Sequence, residues 1–414
     1  MNEINTFLLN KLSDRDDLNN TVLSKYLKCS SRQISNIKNR KRDLTFRNIL
    51  ILTQLVDKEN YKEHIRRWAP NLDSDDCIRG IFEYAAITRD VELLDSHIKY
   101  CKKYEKDTKK SAIKKYIKVY SFIRDCMKGL IEFTRMEEEL DKLKNIGYPK
   151  LKILVEIFYC VALLHKREFS YVLSKASEIE KQIKKMDENK QLFVKECYLY
   201  RISEVLAFAH LFMNNLKGAR HYSYILLNAS INKRVDSDAL YISGMTYLLD
   251  DEKKCLHYLK RSILAAKETR VDHLVSFAVY NYNFAKILLN KEIDDDAPEV
   301  LKCFQSYRDG KTPFNAAERA VKEMNDPDLT DYFESIISEE AKYKKFCYFV
   351  SNSNLYYASI IVRDLMDAGE DAAFIRNLTK NLRKTSEGKG DVLFEEDFIS
   401  CFIVGSRGIR DSCA

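Results

Sequence analysis

Only 5 Pro and 11 Gly punctuate 414 residues, and this scarcity constrains the fold more than any other feature. Tight hairpins and sheet edges draw on these two residues for backbone angles that other side chains avoid. A turn-rich β architecture therefore has little to be built from. With 45% hydrophobic and 32% charged residues, the composition is that of an ordered chain rather than a disordered one. The expectation is an all-α protein, with a small module followed by an extended helical array.

Several function classes drop out at once. The cysteines stand singly between Cys29 and Cys413, with no CxxC pair and no Cys/His cluster at metal spacing, so they read as reduced, small apolar packing residues. No signal peptide precedes the first charged helix, and no apolar run reaches the ~18 residues of a membrane span. A cytoplasmic protein without a membrane partner is expected. The histidines are isolated, no Gly-rich phosphate loop, G-x-S-x-G or HExxH is present, and runs such as Glu137–Glu139 and Asp294–Asp296 suit solvated corners. No catalytic residue, metal or cofactor is expected.

The charge is unevenly spread. Of a net +7, residues 1–70 hold 14 Lys/Arg against 8 Asp/Glu, a balance of +6. Such a basic module is the electrostatic footprint of nucleic-acid binding. Within it, Val22, Leu23, Tyr26 and Leu27 recur at helical spacing, Cys29-Ser30-Ser31 interrupts, and Ile34 and Ile37 give a second helix its inward face. Ser30 or Ser31 suits the N-cap. Ser31, Arg32, Gln33, Ser35, Asn36, Lys38 and Asn39 then point outward. Arg donates to guanine, and Gln and Asn pair with adenine in the major groove. Arg40, Lys41 and Arg42 follow where the chain would leave the groove, suited to phosphate contacts. Two short helices joined by a tight turn form a helix-turn-helix. Leu23-Ser24, Leu27, Ser30, Ile34-Ser35, Ile37 and the basic Arg40-Lys41-Arg42 exit resemble the Cro/C1-repressor (XRE) type. This chain departs from that pattern at Lys28-Cys29, where Gly and an apolar residue are usual, and at Leu44, where Pro is common. The helix Phe46–Val56 would close the small core of a module ending near residue 70.

Residues 71–390 read as a repeat array. Segments from Tyr159, Leu206, Leu240 and Phe284 align as helical hairpins with corners at Phe169, Leu216, Glu252 and Ile293. Periods of this size are those of tetratricopeptide-like α-solenoids, in which stacked hairpins share one core and leave a concave groove. By resemblance to such repeats, the first helices present Arg201, Glu204 and Phe208, then Ser237, Leu240, Gly244 and Tyr247, then Asn281. Arg201, Glu204, Phe208 and Asn281 are the candidate peptide-binding set, through charge-assisted hydrogen bonds. An interhelical salt bridge and a capping amide are the alternative roles. Residues 391–414 form a terminal segment whose apolar stretch Leu393–Val404 suits either a dimer contact or a cap on the array.

The two-part layout resembles the peptide-pheromone-controlled regulators of Firmicutes (the RRNPP group). The stretch FVKECYLYRISEVLAFAHLFMNNLKGARHYS, Phe193–Ser223, resembles the arbitrium receptor (AimR-like) family of Bacillus phages and prophages. That resemblance implies a homodimer binding double-stranded promoter DNA in lysis–lysogeny control, with a short signalling peptide entering the groove. The alternative is a prophage regulator or adaptor acting through protein–protein contact, without a peptide response or without DNA binding.

Overall fold

The computed structural model describes residues 2–39, 41, 43–104, 111–371 and 401–402. Among them the regular elements are helices and none is a strand. The chain divides into two compact units, the first holding residues 1–162, 178–202 and 394–414, the second 163–177 and 203–393. The first 70 residues thus share a unit with helices as far as residue 162.

In the first unit, α1 (Asn2–Ser13), α2 (Asn20–Leu27), α3 (Ser31–Lys38), α4 (Phe46–Val56) and α5 (Tyr61–Trp68) make the N-terminal head. They are followed by α6 (Asp75–Ile87), α7 (Val91–Cys101), α8 (Ser111–Met127) and α9 (Met136–Asp141). Helix α4 is its post. Its run Ile49-Leu50-Ile51-Leu52 is wholly buried, because α1, α2, α5 and α6 pack around it, and a helix apolar on every side needs neighbours on every side. Phe46 opens α4 edge-on to the rings of Tyr84 and Phe193. Of the stretch Leu393–Val404, Cys401 and Phe402 are described. Both are buried in this unit, Phe402 against Tyr84, Phe193 and Tyr200, so these two residues cap their own chain. The other ten lie outside the described residues.

Helices α10 (Pro149–His165), α11 (Phe169–Lys184) and α12 (Glu188–Phe212) contribute residues to both units. The second unit continues with α13 (Leu216–Ala229), α14 (Lys233–Met245), α15 (Glu252–Glu268), α16 (Asp272–Leu288) and α17 (Glu299–Arg308). It ends with α18 (Phe314–Met324), α19 (Pro327–Ser335), α20 (Glu339–Ser351) and α21 (Leu355–Asp367). From α13 to α21 each helix packs on the next in chain order, the arrangement of a helical-repeat array. The expected corners at Phe169, Leu216 and Glu252 are the first residues of α11, α13 and α15. The fourth is displaced. Helix α17 begins at Glu299 rather than near Ile293, because Pro298 sits at φ −55° and ψ 145°, outside the helical basin.

How the chain turns so often with so little glycine is answered at its corners. Arg89, Arg167, Asn214, Asn290 and Ser353 all take left-handed backbone angles. In each case the following N–H returns to the carbonyl five residues back: Asp90 to Ala85, Glu168 to Leu163, Asn215 to His210, Lys291 to Lys286 and Asn354 to Phe349, all within 3.0 Å. That bond closes a helix end in the way a C-terminal glycine usually does. A non-glycine residue there costs roughly 1 kcal/mol. At three of these corners the next residue, Asp90, Asn215 or Asn354, caps the following helix.

Candidate functional site

The head carries the candidate reading helix. Helix α2 ends at Lys28, left-handed at φ 50° and ψ 48°, and Ser30 starts α3 with a capping box. The Ser30 hydroxyl accepts from the Gln33 N–H at 3.3 Å, and Gln33 Oε1 accepts from the Ser30 N–H at 2.8 Å. Ile34 and Ile37 are buried, as are Leu23 and Leu27 of α2, so α2, α3 and α4 share one small core. Ser31, Arg32, Lys38, Asn39 and Lys41 are exposed, and Gln33, Ser35 and Asn36 half-buried. Arg40 and Arg42 lie outside the described residues.

Two members of the outward set have local duties. Gln33 spends its carbonyl oxygen on the cap, which leaves it short of the paired donor and acceptor that adenine needs. Asn39 is the C-cap residue, and its amide donates to Ser35 Oγ at 3.4 Å. Arg32 makes no ion pair among the described residues. The basic character also extends beyond residue 70. Lys99, Lys102, Lys103, Lys114, Lys115 and Lys118 stand in the same unit, with no carboxylate among residues 99–104 and 111–118.

The groove set is divided by the structure. Arg201 belongs to the first unit and Glu204, Phe208 and Asn281 to the second. The Arg201 side chain is 11% exposed and pairs with the fully buried Glu83. Burial opposes its charge, but the Glu83 carboxylate outweighs this and holds Arg201 more firmly protonated. Arg201 therefore takes the interhelical salt-bridge role. Leu240 is buried, and Gly244 lies where an added Cβ would meet Leu259 at 2.9 Å. Neither lines a groove. Tyr247 stacks under Arg220 at 4.1 Å.

The second unit brings the rest closer together. Phe208 lies ring to ring with Tyr241 at 6.4 Å. Tyr241 and Asn281 line one cleft of about 10 Å³ with Arg234, Ser237, Ser262 and Phe277, room for about one water or one carbonyl oxygen. Ser237 and Ser262 are bonded to each other at 2.9 Å. Asn281 is 9% exposed and its side-chain amide makes no hydrogen bond among the described residues. Sequence reasoning missed Tyr241 and Phe277, whose aromatic rings in an apolar helical pattern look like ordinary core. It also missed an open cleft of about 480 Å³ between the corners Lys166–Tyr171 and Tyr348–Asn354.

Among the described residues no His/Cys/Asp/Glu group is arranged to hold a metal, and no helix is long and apolar enough to cross a membrane. The His97 and His210 imidazoles are pushed down to about 4 by burial, which leaves them neutral packing groups.

Among the described residues, a five-helix head with a capped turn between α2 and α3, followed by helices packed in chain order, defines an all-α repeat protein. Residues 61–304 match the model of the AimR transcriptional regulator-like family, and the chain belongs to that family. It is a family of regulators, not of enzymes. No curated protein matches the chain. Among solved structures it resembles a selenomethionine structure of phAimR, with 18% identity and a TM-score of 0.59 over 91% of this chain and 100% of that one. It also resembles a phAimR–ligand structure, with 17% identity and a TM-score of 0.61 over 78% of this chain and 96% of that one.

Proposed function

We propose that this chain is a DNA-binding transcriptional regulator of phage or prophage lysis–lysogeny, controlled by a short communication peptide held in its repeat region. It works in the cytoplasm as a homodimer. The observation that carries the reading is α3 itself: a helix fixed by a capping box and two buried isoleucines, with Arg32, Asn36 and Lys38 turned away from the core. Arg32 and Asn36 read bases, while Lys38, Lys41 and the two arginines beside it neutralise phosphates. Membership of a transcriptional regulator-like family supports the output, and the ligand in one of the similar phAimR structures supports an input.

For the input the reading favours the cleft at Asn281. Its size suits one backbone carbonyl or terminal oxygen of a peptide, to which Asn281 donates, while Phe208, Tyr241 and Phe277 give apolar contact. The test is a duplex selected by the chain from a random library. Binding should weaken steeply with salt, and Arg32→Ala/Asn36→Ala should abolish the preference for that duplex. A synthetic hexapeptide matching the C-terminus of a short secreted product of the neighbouring reading frame should raise Tm. Unchanged DNA preference in the double variant overturns the DNA reading, and no Tm response to the peptide overturns the input.

A further inference from the structure

The turn between α2 and α3 contains an oddity. Lys28 holds a left-handed conformation in which glycine is unstrained, and a side chain there costs roughly 1 kcal/mol. Its ammonium lies 3.5 Å from Oε1 of Glu196, a fully buried carboxylate on α12 in the same compact unit. The same carboxylate takes a two-pronged contact from Arg47 of α4: Nε to Oε2 and Nη2 to Oε1, each 3.1 Å. The third nitrogen of Arg47 donates to the backbone carbonyl of Tyr26 at 3.3 Å. The thiol of Cys401 faces the carboxylate too, and burial together with the charge of Glu196 keeps that thiol protonated. The C-terminal end of α2, at Tyr26 and at Lys28, is therefore tied to Glu196 through guanidinium and ammonium groups.

Stability alone gives little reason for this design. A buried ion cluster is often no more stabilising than a well-packed apolar substitute, because desolvation offsets the attraction. It does fix geometry. A bidentate guanidinium–carboxylate contact admits few orientations, and here it holds the end of α2, just ahead of α3, against Glu196 of α12.

We propose that the Lys28–Glu196 contact, braced by Arg47, positions the recognition helix, and that Lys28 replaces glycine at this turn in order to make it. The inference rests on the DNA-binding reading of α3. Lys28 is a positioning residue here, not a base-contacting one.

Lys28→Gly relieves the strained turn and removes the anchor together, so it should move Tm and binding of the selected duplex in opposite directions. Binding of the wild-type chain, Lys28→Gly and Lys28→Arg to the library-selected duplex and to an unrelated duplex is measured by fluorescence anisotropy, alongside Tm. Lys28→Gly should keep or raise Tm while binding the selected duplex about fivefold more weakly or worse, a factor equivalent to about 1 kcal/mol. Binding to the unrelated duplex should change far less, and Lys28→Arg, which keeps charge and reach, should bind as wild type does. The inference is overturned if Lys28→Gly binds the selected duplex within twofold of wild type. It is equally overturned if affinity falls only in step with Tm, or if both duplexes weaken alike. A wild-type chain that selects no duplex removes the DNA reading itself, and this inference with it.

Discussion

Arg201 on α12 and Glu83 on α6 form a buried ion pair, with Nε 2.8 Å from Oε1. The second oxygen of Glu83 accepts from the hydroxyl of Tyr120, so three elements of the first unit meet on one carboxylate. Removing one partner of a buried pair leaves the other charge without compensation, at about 3–5 kcal/mol. Arg201→Ala should therefore lower unfolding free energy by about that amount, with or without peptide. Urea denaturation checks it. A loss below about 1 kcal/mol combined with a weakened peptide response would return Arg201 to the ligand site.

Asn281 is expected to behave in the opposite way. Its amide has no hydrogen-bond partner among the described residues, so Asn281→Ala removes little from the resting protein. Deleting a buried amide that bonds to nothing also deletes its desolvation cost, so the change should stay within about 1 kcal/mol. If the cleft takes a peptide backbone group, the same substitution should weaken peptide-induced Tm elevation about tenfold in concentration, the scale of one lost hydrogen bond in a closed site. Titration of the peptide against Tm in both proteins makes the comparison.

Gly80 lies under the ring of Phe46. A Cβ added there would stand 2.4–2.6 Å from three Phe46 atoms, and Phe46 cannot retreat because Tyr84 and Phe193 hold its other sides. Gly80→Ala should destabilise by about 1–3 kcal/mol, although alanine is the better helix former. A higher Tm in this variant would show that α4 and α6 have room to separate.

The element type was legible almost throughout, because few breakers and strong helical periodicity leave one solution. Much of the head was legible, including the inward pair Ile34 and Ile37 and a serine cap left open between Ser30 and Ser31, since caps and spacing are local signals. Long-range partners were not. Nothing near Arg201 in sequence announces Glu83, 118 positions earlier, and the face of a helix buried on both sides cannot be read from its period alone. Helix α12 shows this best: fifteen of its described residues are buried, so a position taken from repeat spacing has little chance of facing a groove. Lys28 looked like a lapse in the turn pattern until Glu196, 168 residues later in the sequence, gave it a partner.

Asp236 carries a pH dependence. Burial pushes its carboxyl up from the ordinary 3.8 to about 6, against the pull of Lys233 at 3.6 Å and with Glu268 adding to the rise. Between roughly pH 4 and pH 6 the folded chain holds a proton that the unfolded chain has released. Stability from this group therefore falls as pH rises through that window, and the full penalty persists at pH 7. Asp236→Asn should raise stability at pH 7 by about 1–2 kcal/mol and change it little at pH 4. Thermal melts across pH 4–8 test both ends, and equal effects at the two pH values would exclude the carboxylate as their origin.

Ser30 and Gln33 make one device, and their substitutions should show it. Each residue supplies the acceptor for the other's backbone N–H, so losing either leaves one end of α3 loose and the remaining bond less well oriented. Ser30→Ala should cost about 1 kcal/mol, Gln33→Ala somewhat less, and the double variant less than the sum, because the two bonds support each other. DNA preference separates this cap from direct base recognition. If Gln33 acts through the cap, Gln33→Ala should lower affinity for selected and unrelated duplexes alike, in proportion to its effect on stability. Arg32→Ala should instead remove the preference and leave Tm where it was. A Gln33→Ala variant that loses preference at one base pair while keeping its Tm would put the side chain in the groove and leave the cap to Ser30 alone.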